Sequence, residues 1–116
     1  SDLTMSQETP SKDEKSFMYL VGTFQSSTWI ALGKMENPMT NKSERNLKQA
    51  RFYIDLLEMM QTKTKGNLTE YEEQMLINAV SELNMNFIEE KRKSNGTSVD
   101  DENPDLVSED NKKVAE

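Results

Sequence analysis

Residues 63–73, KTKGNLTEYEE, decide how the helices of this chain are connected. Gly66 follows a helical pattern that ends in lysines, and a glycine after a helix adopts positive φ without a Cβ penalty. Thr69 and Glu72 have the three-residue spacing of a capping box, in which each side chain accepts a hydrogen bond from the other residue's backbone amide. The stretch therefore predicts a turn between two antiparallel helices. It lacks the glycine-lysine pattern of a phosphate loop and the alternating acidic ligands of a calcium loop.

Hydrophobic residues recur at helical spacing on both sides of this turn. We expect a helix over about residues 44–64 before it and a helix over about residues 70–93 after it. The core stripe of the first is Leu47, Ala50, Tyr53, Ile54, Leu57 and Met60. The core stripe of the second is Leu76, Ala79, Val80, Leu83 and Phe87, widened by Ile77 and Ile88.

An earlier helix is predicted over about residues 13–34, and it is apolar on two sides. Its core stripe is Phe17, Leu20, Val21, Phe24, Thr28, Ala31 and Leu32. The opposite side has small residues flanked by larger ones, namely Tyr19, Gly22, Ser26, Trp29, Ile30 and Gly33. Residues 16–33 contain no charged side chain, yet they are too short and too polar for a membrane span. We expect a second copy of the chain to cover the outer side.

The predicted second helix also carries apolar residues outside its core stripe. Phe52, Leu56 and Met59 follow one another at i, i+4 and i+7. One small core does not need this extra surface, so we expect these residues to extend the self-association interface or to bind another protein.

Charge and composition divide the 116 residues into three parts. Residues 12–93 hold equal numbers of acidic and basic side chains, so the net charge of −7 lies outside them. We expect disordered tails over residues 1–12 and 94–116, the latter acidic, around a helical domain over residues 13–93. The predicted fold is all-α, a three-helix antiparallel bundle or helical hairpin unit that self-association completes as a homodimer or a higher homo-oligomer.

Basic residues cluster around the start of the predicted second helix, where positive charge opposes the helix dipole. Pro38 predicts a bend before this helix, and Asn41 or Ser43 is expected to cap it. Bound phosphate would relieve the repulsion among the basic residues, which makes an RNA- or ribosome-associated accessory protein the alternative function. The simpler interpretation is a solvated face paired with Glu44 or with the acidic tail. The cluster is Lys34, Lys42, Arg45, Lys48 and Arg51.

The chain has no cysteine and no histidine, which excludes disulfides, thiolate nucleophiles and the usual zinc sites. Asp55 and Glu58 are candidate acid/base groups, but Arg51 and Asp55 have the spacing of a surface ion pair. We expect no catalytic residue, cofactor or metal. No secretion signal pattern opens the sequence, so we expect a cytoplasmic protein. A membrane-surface role is disfavoured because the first helix lacks a basic polar face.

Three stretches resemble a small bacterial family catalogued as domain of unknown function 1844. They are WIALGKMENPMT (29–40), NLKQARFYIDLLEMMQTKTKGNLTEYEEQML (46–76) and ELNMNFIEE (82–90). The resemblance covers about residues 16–90 and is most specific over residues 54–69. It implies a short, mostly helical bacterial protein and no known activity. Together these observations predict a non-catalytic, self-associating protein-interaction module.

Overall fold

The computed structural model describes residues 9–97 of the chain, which form three helices and no strand. They are α1 (Lys12–Ala31), α2 (Leu47–Thr64) and α3 (Glu70–Thr97). The all-α prediction is confirmed. The predicted tails lie outside the described residues except at their inner edges, where the structure places Lys12 in α1 and residues 94–97 in α3.

The helices run up, down and up, so that α1 and α3 are parallel to each other and antiparallel to α2. We call one end of the bundle the loop end: α1 ends there, α2 begins there, and the last turns of α3 lie beside them. At this end the Asn46 amide donates to the Ala31 carbonyl oxygen at 2.7 Å. At the opposite end, the turn end, the Thr69 hydroxyl donates to the Glu14 carboxylate at 2.8 Å. Each helix packs against both others.

A C-terminal glycine motif ends α1 three residues before the predicted boundary. Gly33 has φ +80°, its amide donates to the Ile30 carbonyl, and the Lys34 amide donates to the Trp29 carbonyl, both at 3.0 Å. This pair of bonds is a Schellman motif, which satisfies carbonyls that the helix itself leaves open. An L-residue at Gly33 would be strained, and its Cβ would come within 3.2 Å of the Arg45 Cβ.

The connection between α1 and α2 contains the bend predicted at Pro38, and it folds on itself. The Asn37 amide donates to the Lys42 carbonyl at 2.8 Å, and Asn41 takes a left-handed conformation with φ 59°. The cap prediction was wrong: Asn46 caps α2 by accepting from the Gln49 amide at 3.0 Å. Because Asn46 is extended and its amide is bonded to α1, α2 begins at Leu47 and not at 44.

The turn between α2 and α3 has the predicted helix stop and capping box. Lys65 has φ −55° and ψ 130°, Gly66 has φ +85°, and the Asn67 amide donates to the Thr64 carbonyl at 2.9 Å, which together indicate a type II turn. The Thr69 amide donates to Glu72 at 2.8 Å, and the Glu72 amide donates to the Thr69 hydroxyl at 3.1 Å. The capping box is therefore confirmed.

The core lies where the three stripes meet. Every residue of the predicted α3 stripe is buried, and in α2 only Tyr53 is half-buried. Three residues assigned to the core from sequence are on the surface: Leu20 is 44% exposed, and Ile77 and Ile88 are exposed as well. Each lies at the margin of its stripe, so a three-helix bundle leaves it uncovered. The buried core is Val21, Thr28, Ala31, Leu32, Leu47, Ala50, Ile54, Leu57, Met60, Leu76, Ala79, Val80, Leu83 and Phe87.

Candidate functional site

The residues predicted for self-association lie along the outer side of α1, except for Gly33, and one of them, Trp29, also packs against the bundle core. We call this surface the α1 outer face; it consists of Tyr19, Gly22, Ser26, Trp29 and Ile30. Tyr19 is 79% exposed and Ser26 is exposed, while the other members are half-buried. Gly33 lies beyond the helix, and the Schellman motif accounts for it without any partner.

The middle of the α1 outer face is shallow and uncharged. A Cβ built on Gly22 would have no neighbouring atom within 4 Å, so nothing inside the described chain requires a glycine there. The nearby Thr23 hydroxyl donates to the Tyr19 carbonyl at 3.0 Å, which satisfies its donor within the helix. A second helix can therefore approach this face closely, and the cost of removing water from its polar groups is small.

The second predicted apolar surface, Phe52, Leu56 and Met59, lies on the outer side of α2. Phe52 is 58% exposed, Met59 is exposed and Leu56 is half-buried. Phe52 packs edge-on against Tyr53 with ring centroids 5.7 Å apart, and Tyr53 packs against Phe24 of α1 at 6.3 Å. The α2 surface is thus joined to α1 by a row of rings.

Sequence reasoning missed Leu20 as an exposed apolar residue of α1. Leu20 is one turn before Phe24 on α1, and it is exposed. Its position at the edge of the core stripe made it look buried. The angular width of the stripe could have separated its exposed members from its buried ones, since Leu20 lies about 100° from Val21 around the helix.

Three members of the predicted anion cluster already pair with carboxylates of the same chain. Arg51 contacts Asp55 at 3.1 Å and Glu58 at 3.5 Å, which confirms the predicted pair with Asp55. The Arg51 guanidinium also lies 4.9 Å from the centroid of the Phe87 ring, which joins α2 to α3. This cation is occupied by structural contacts.

Lys34 and Arg45 belong to a second group, which we call the Glu90 cluster: Lys34, Arg45, Glu90, Lys93 and Ser94. Arg45 donates to the Glu90 carboxylate and to its carbonyl oxygen, both at 3.2 Å, and to the Ser94 hydroxyl. Lys93 contacts the same carboxylate at 2.8 Å and Lys34 lies 3.5 Å from it. From the sequence, the counter-charges for the basic cluster were expected in Glu44 or the acidic tail. In the structure, the carboxylates that contact Lys34 and Arg45 are Glu89 and Glu90 on α3.

The Glu90 carboxylate is the electrostatic centre of this group, with 8% of its side chain exposed. Burial raises the pKa of this carboxyl, but the hydrogen bonds from Lys93 and Arg45 and the charges of Lys93 and Lys34 outweigh it, so the pKa is lowered from 4.5. The same contact raises the pKa of the Lys93 ammonium. The remaining predicted anion-binding residues, Lys42 and Lys48, are exposed at the loop end.

The carboxylates considered for acid/base chemistry do not converge on a substrate-sized site. Asp55 and Glu58 both contact Arg51 on an open helix surface. A depression beside the α2–α3 turn is lined by Gln61, Thr62 and Glu73 among others, and neither Asp55 nor Glu58 lines it.

Two further properties concern the described part of the chain only. Across residues 9–97, no group of three or more Asp, Glu, His or Cys side chains is placed to bind a metal ion. None of the helices in that range combines the length and apolar character that crossing a bilayer requires.

Comparison with known proteins identifies a family and nothing closer. No curated protein and no solved structure matches this chain. The model of one family, described as a domain of unknown function, matches residues 14–89. These residues contain all of α2, nearly all of α1 and α3 up to Glu89, which confirms the resemblance found in the sequence. The chain therefore belongs to the DUF1844 family, a domain of unknown function.

Proposed function

We propose that this protein is a non-catalytic protein-interaction module that self-associates as a dimer through the α1 outer face. The observation that carries the proposal is an exposed, uncharged helix side around Gly22, in a bundle whose own core is already filled. Tyr19 and Trp29 flank a small centre at Gly22 and Ser26, the arrangement that lets two helices approach closely.

A two-fold arrangement of two α1 helices suits this surface. In an isologous contact each helix presents the same patch, so Gly22 and Ser26 of one copy would meet the small centre of the other. The aromatic side chains at either end would then pack beside the crossing point. No charged side chain lies between residues 16 and 33, so pairing buries no uncompensated ion.

The Phe52, Leu56 and Met59 surface extends this interface or receives another protein. The ring contacts through Tyr53 reach Phe24 on the core stripe of α1 and not the α1 outer face, so they do not decide between these two roles. The RNA- or ribosome-binding alternative has less support, because Lys34, Arg45 and Arg51 contact carboxylates of the same chain.

Sedimentation equilibrium at tens of micromolar tests the dimer. We expect the wild type to sediment as a dimer, and Gly22→Leu and Ser26→Leu to sediment as monomers or to lose solubility. Ser81→Leu is the matched control, because Ser81 is also an exposed helical serine but lies on α3. Circular dichroism would verify that each variant keeps its helices.

A wild type that is monomeric at this concentration would contradict the proposal, as would variants at Gly22 and Ser26 that associate like Ser81→Leu.

Phe52→Ala combined with Met59→Ala then separates the two roles of the α2 surface. Weaker dimerisation places it in the dimer interface, whereas unchanged dimerisation leaves it available to another protein.

A further inference from the structure

The loop end of the bundle carries an excess of positive charge. Residues 34–48 and 89–93 meet there, and together they contain seven basic and four acidic side chains, a net charge of +3. The turn end differs, since residues 63–73 contain two basic and three acidic side chains, a net charge of −1. The helical domain is neutral as a whole but electrostatically polarised along its length.

The Glu90 cluster only partly balances this charge. Lys34, Arg45 and Lys93 all converge on Glu90, with Glu89 as a further partner for Lys34. These three cations contact the same carboxylate, that of Glu90. Lys42 adds charge on the connecting loop, and the first turn of α2 contains no acidic residue that would complement its dipole.

The most acidic part of the chain begins at this same end. Arg45 bonds to Ser94, which holds the last turns of α3 against the start of α2. Residues 98–116 follow directly and contain seven acidic and two basic side chains, a net charge of −5. Six of the acidic residues lie within residues 98–110, where there is no basic residue.

The distances permit contact with the whole basic surface. The first acidic residue, Asp100, is three residues beyond Thr97, a reach of roughly 10 Å, and Asp110 reaches at most about 45 Å. A short tether also gives such a segment an effective concentration on the order of millimolar at a nearby site. The segment would therefore compete successfully with a free anion that is present at a lower concentration.

We propose that the acidic segment, residues 98–116, docks on the loop end of its own chain, against Lys42 on the connecting loop and Arg92, which is exposed near the end of α3. It acts as an internal counter-ion that covers the surface an external polyanion would need. This inference does not rest on the proposed dimer, because the contact lies within one chain. An anionic partner, including RNA, would have to displace the segment before it could bind.

A spin label tests the contact, because the chain has no cysteine and one can be introduced at a single position. Val107→Cys carrying a nitroxide is compared with the same label in a variant whose acidic residues are neutralised. Amide signals of residues 42–48 are followed by NMR, with residues 63–73 at the turn end as the reference. The neutralising changes are Asp100→Asn, Asp101→Asn, Glu102→Gln, Asp105→Asn, Glu109→Gln and Asp110→Asn.

We expect the label to reduce the signal intensities of residues 42–48 at least twofold relative to residues 63–73. This loss should disappear in the neutralised variant and in high salt, since screening shortens the range of the interaction. Equal broadening with and without the acidic side chains would overturn the proposal, because the tether alone would then explain it. No broadening in either protein would overturn it as well.

A mixing experiment distinguishes the chain's own segment from that of a second copy. Spin-labelled protein without ¹⁵N is mixed with unlabelled ¹⁵N protein, so that only contact between chains broadens the signals of residues 42–48. Unchanged signals in the mixture support docking within one chain. Broadening in the mixture as strong as within one chain would overturn it. Lys42→Glu should abolish the intrachain effect, whereas Lys63→Glu, at the turn end, should leave it intact.

Discussion

Gly66 has a conformational role that its surroundings make unusually easy to measure. Its φ of +85° is in the left-handed region, and a Cβ there would meet no atom within 4 Å. Substitution therefore tests backbone strain without steric overlap. We expect Gly66→Ala to lower the free energy of unfolding by about 1–2 kcal/mol. Gly66→Asn should cost less, because asparagine tolerates this conformation better. Urea denaturation measures both, and equal losses would contradict the explanation.

The Glu90 carboxylate on α3 accepts a hydrogen bond from Arg45 of the connecting loop, so it stabilises the packing of the loop against this helix. Folding lowers the pKa of this carboxyl below 4.5, so the folded state binds the proton more weakly than the unfolded chain. The stabilisation is complete above the unfolded-state pKa and is lost as pH falls through the folded-state value. Glu90→Gln removes it and leaves Arg45 and Lys34 short of counter-charge.

We expect Glu90→Gln to cost roughly 2 kcal/mol at pH 7 in urea denaturation. Between neutral pH and pH 3 the wild type should lose more stability than the variant, and the two curves should converge in acid. Glu89→Gln is the control: Glu89 is half-exposed and contacts Lys34 at 3.4 Å, so its effect should be a fraction of this. Parallel curves for wild type and Glu90→Gln would contradict the assignment of the acid-sensitive contact.

The sequence predicts elements better than it predicts their contacts. Helical periodicity and the Thr69 capping box locate the α2–α3 hairpin, because both signals are local. The start of α2 is missed by three residues because a tertiary bond from Asn46 to Ala31 holds Asn46 in an extended conformation. The pairing of Arg45 with Glu90 joins residues 45 positions apart, and no local spacing encodes such a contact. Leu20 was wrongly assigned to the core, because the pattern of apolar residues does not determine how much of the helix surface the neighbouring helices cover.

The whole bundle depends on one core shared by three helices, so it should unfold as one unit. Leu83 is completely buried where the helices meet, and Leu83→Ala should lower the free energy of unfolding by about 2–5 kcal/mol. Met85→Ala is the control, since Met85 is 70% exposed on the same helix and should change stability by less than about 0.5 kcal/mol.

Far-ultraviolet circular dichroism and the fluorescence of Trp29, the single tryptophan, follow the transition of these variants. The two signals should give the same midpoint in each protein, because Trp29 reports on α1 while the circular dichroism reports on all helices. A Trp29 transition that precedes the loss of helix would show that α1 detaches first and that the core is not shared.

The polar bonds at the two ends of α1 also fix its position along the bundle axis. Thr69 bonds to Glu14 at the turn end, and Lys34 bonds to Asn86 at the loop end. A slide of α1 by one helical turn, about 5.4 Å, would break both bonds at once and would also displace the residues of α1 that are packed in the core. The position of α1 along the bundle axis is therefore fixed at both ends. Any molecule that pairs with α1 meets Tyr19 and Trp29 at a constant spacing of about 15 Å.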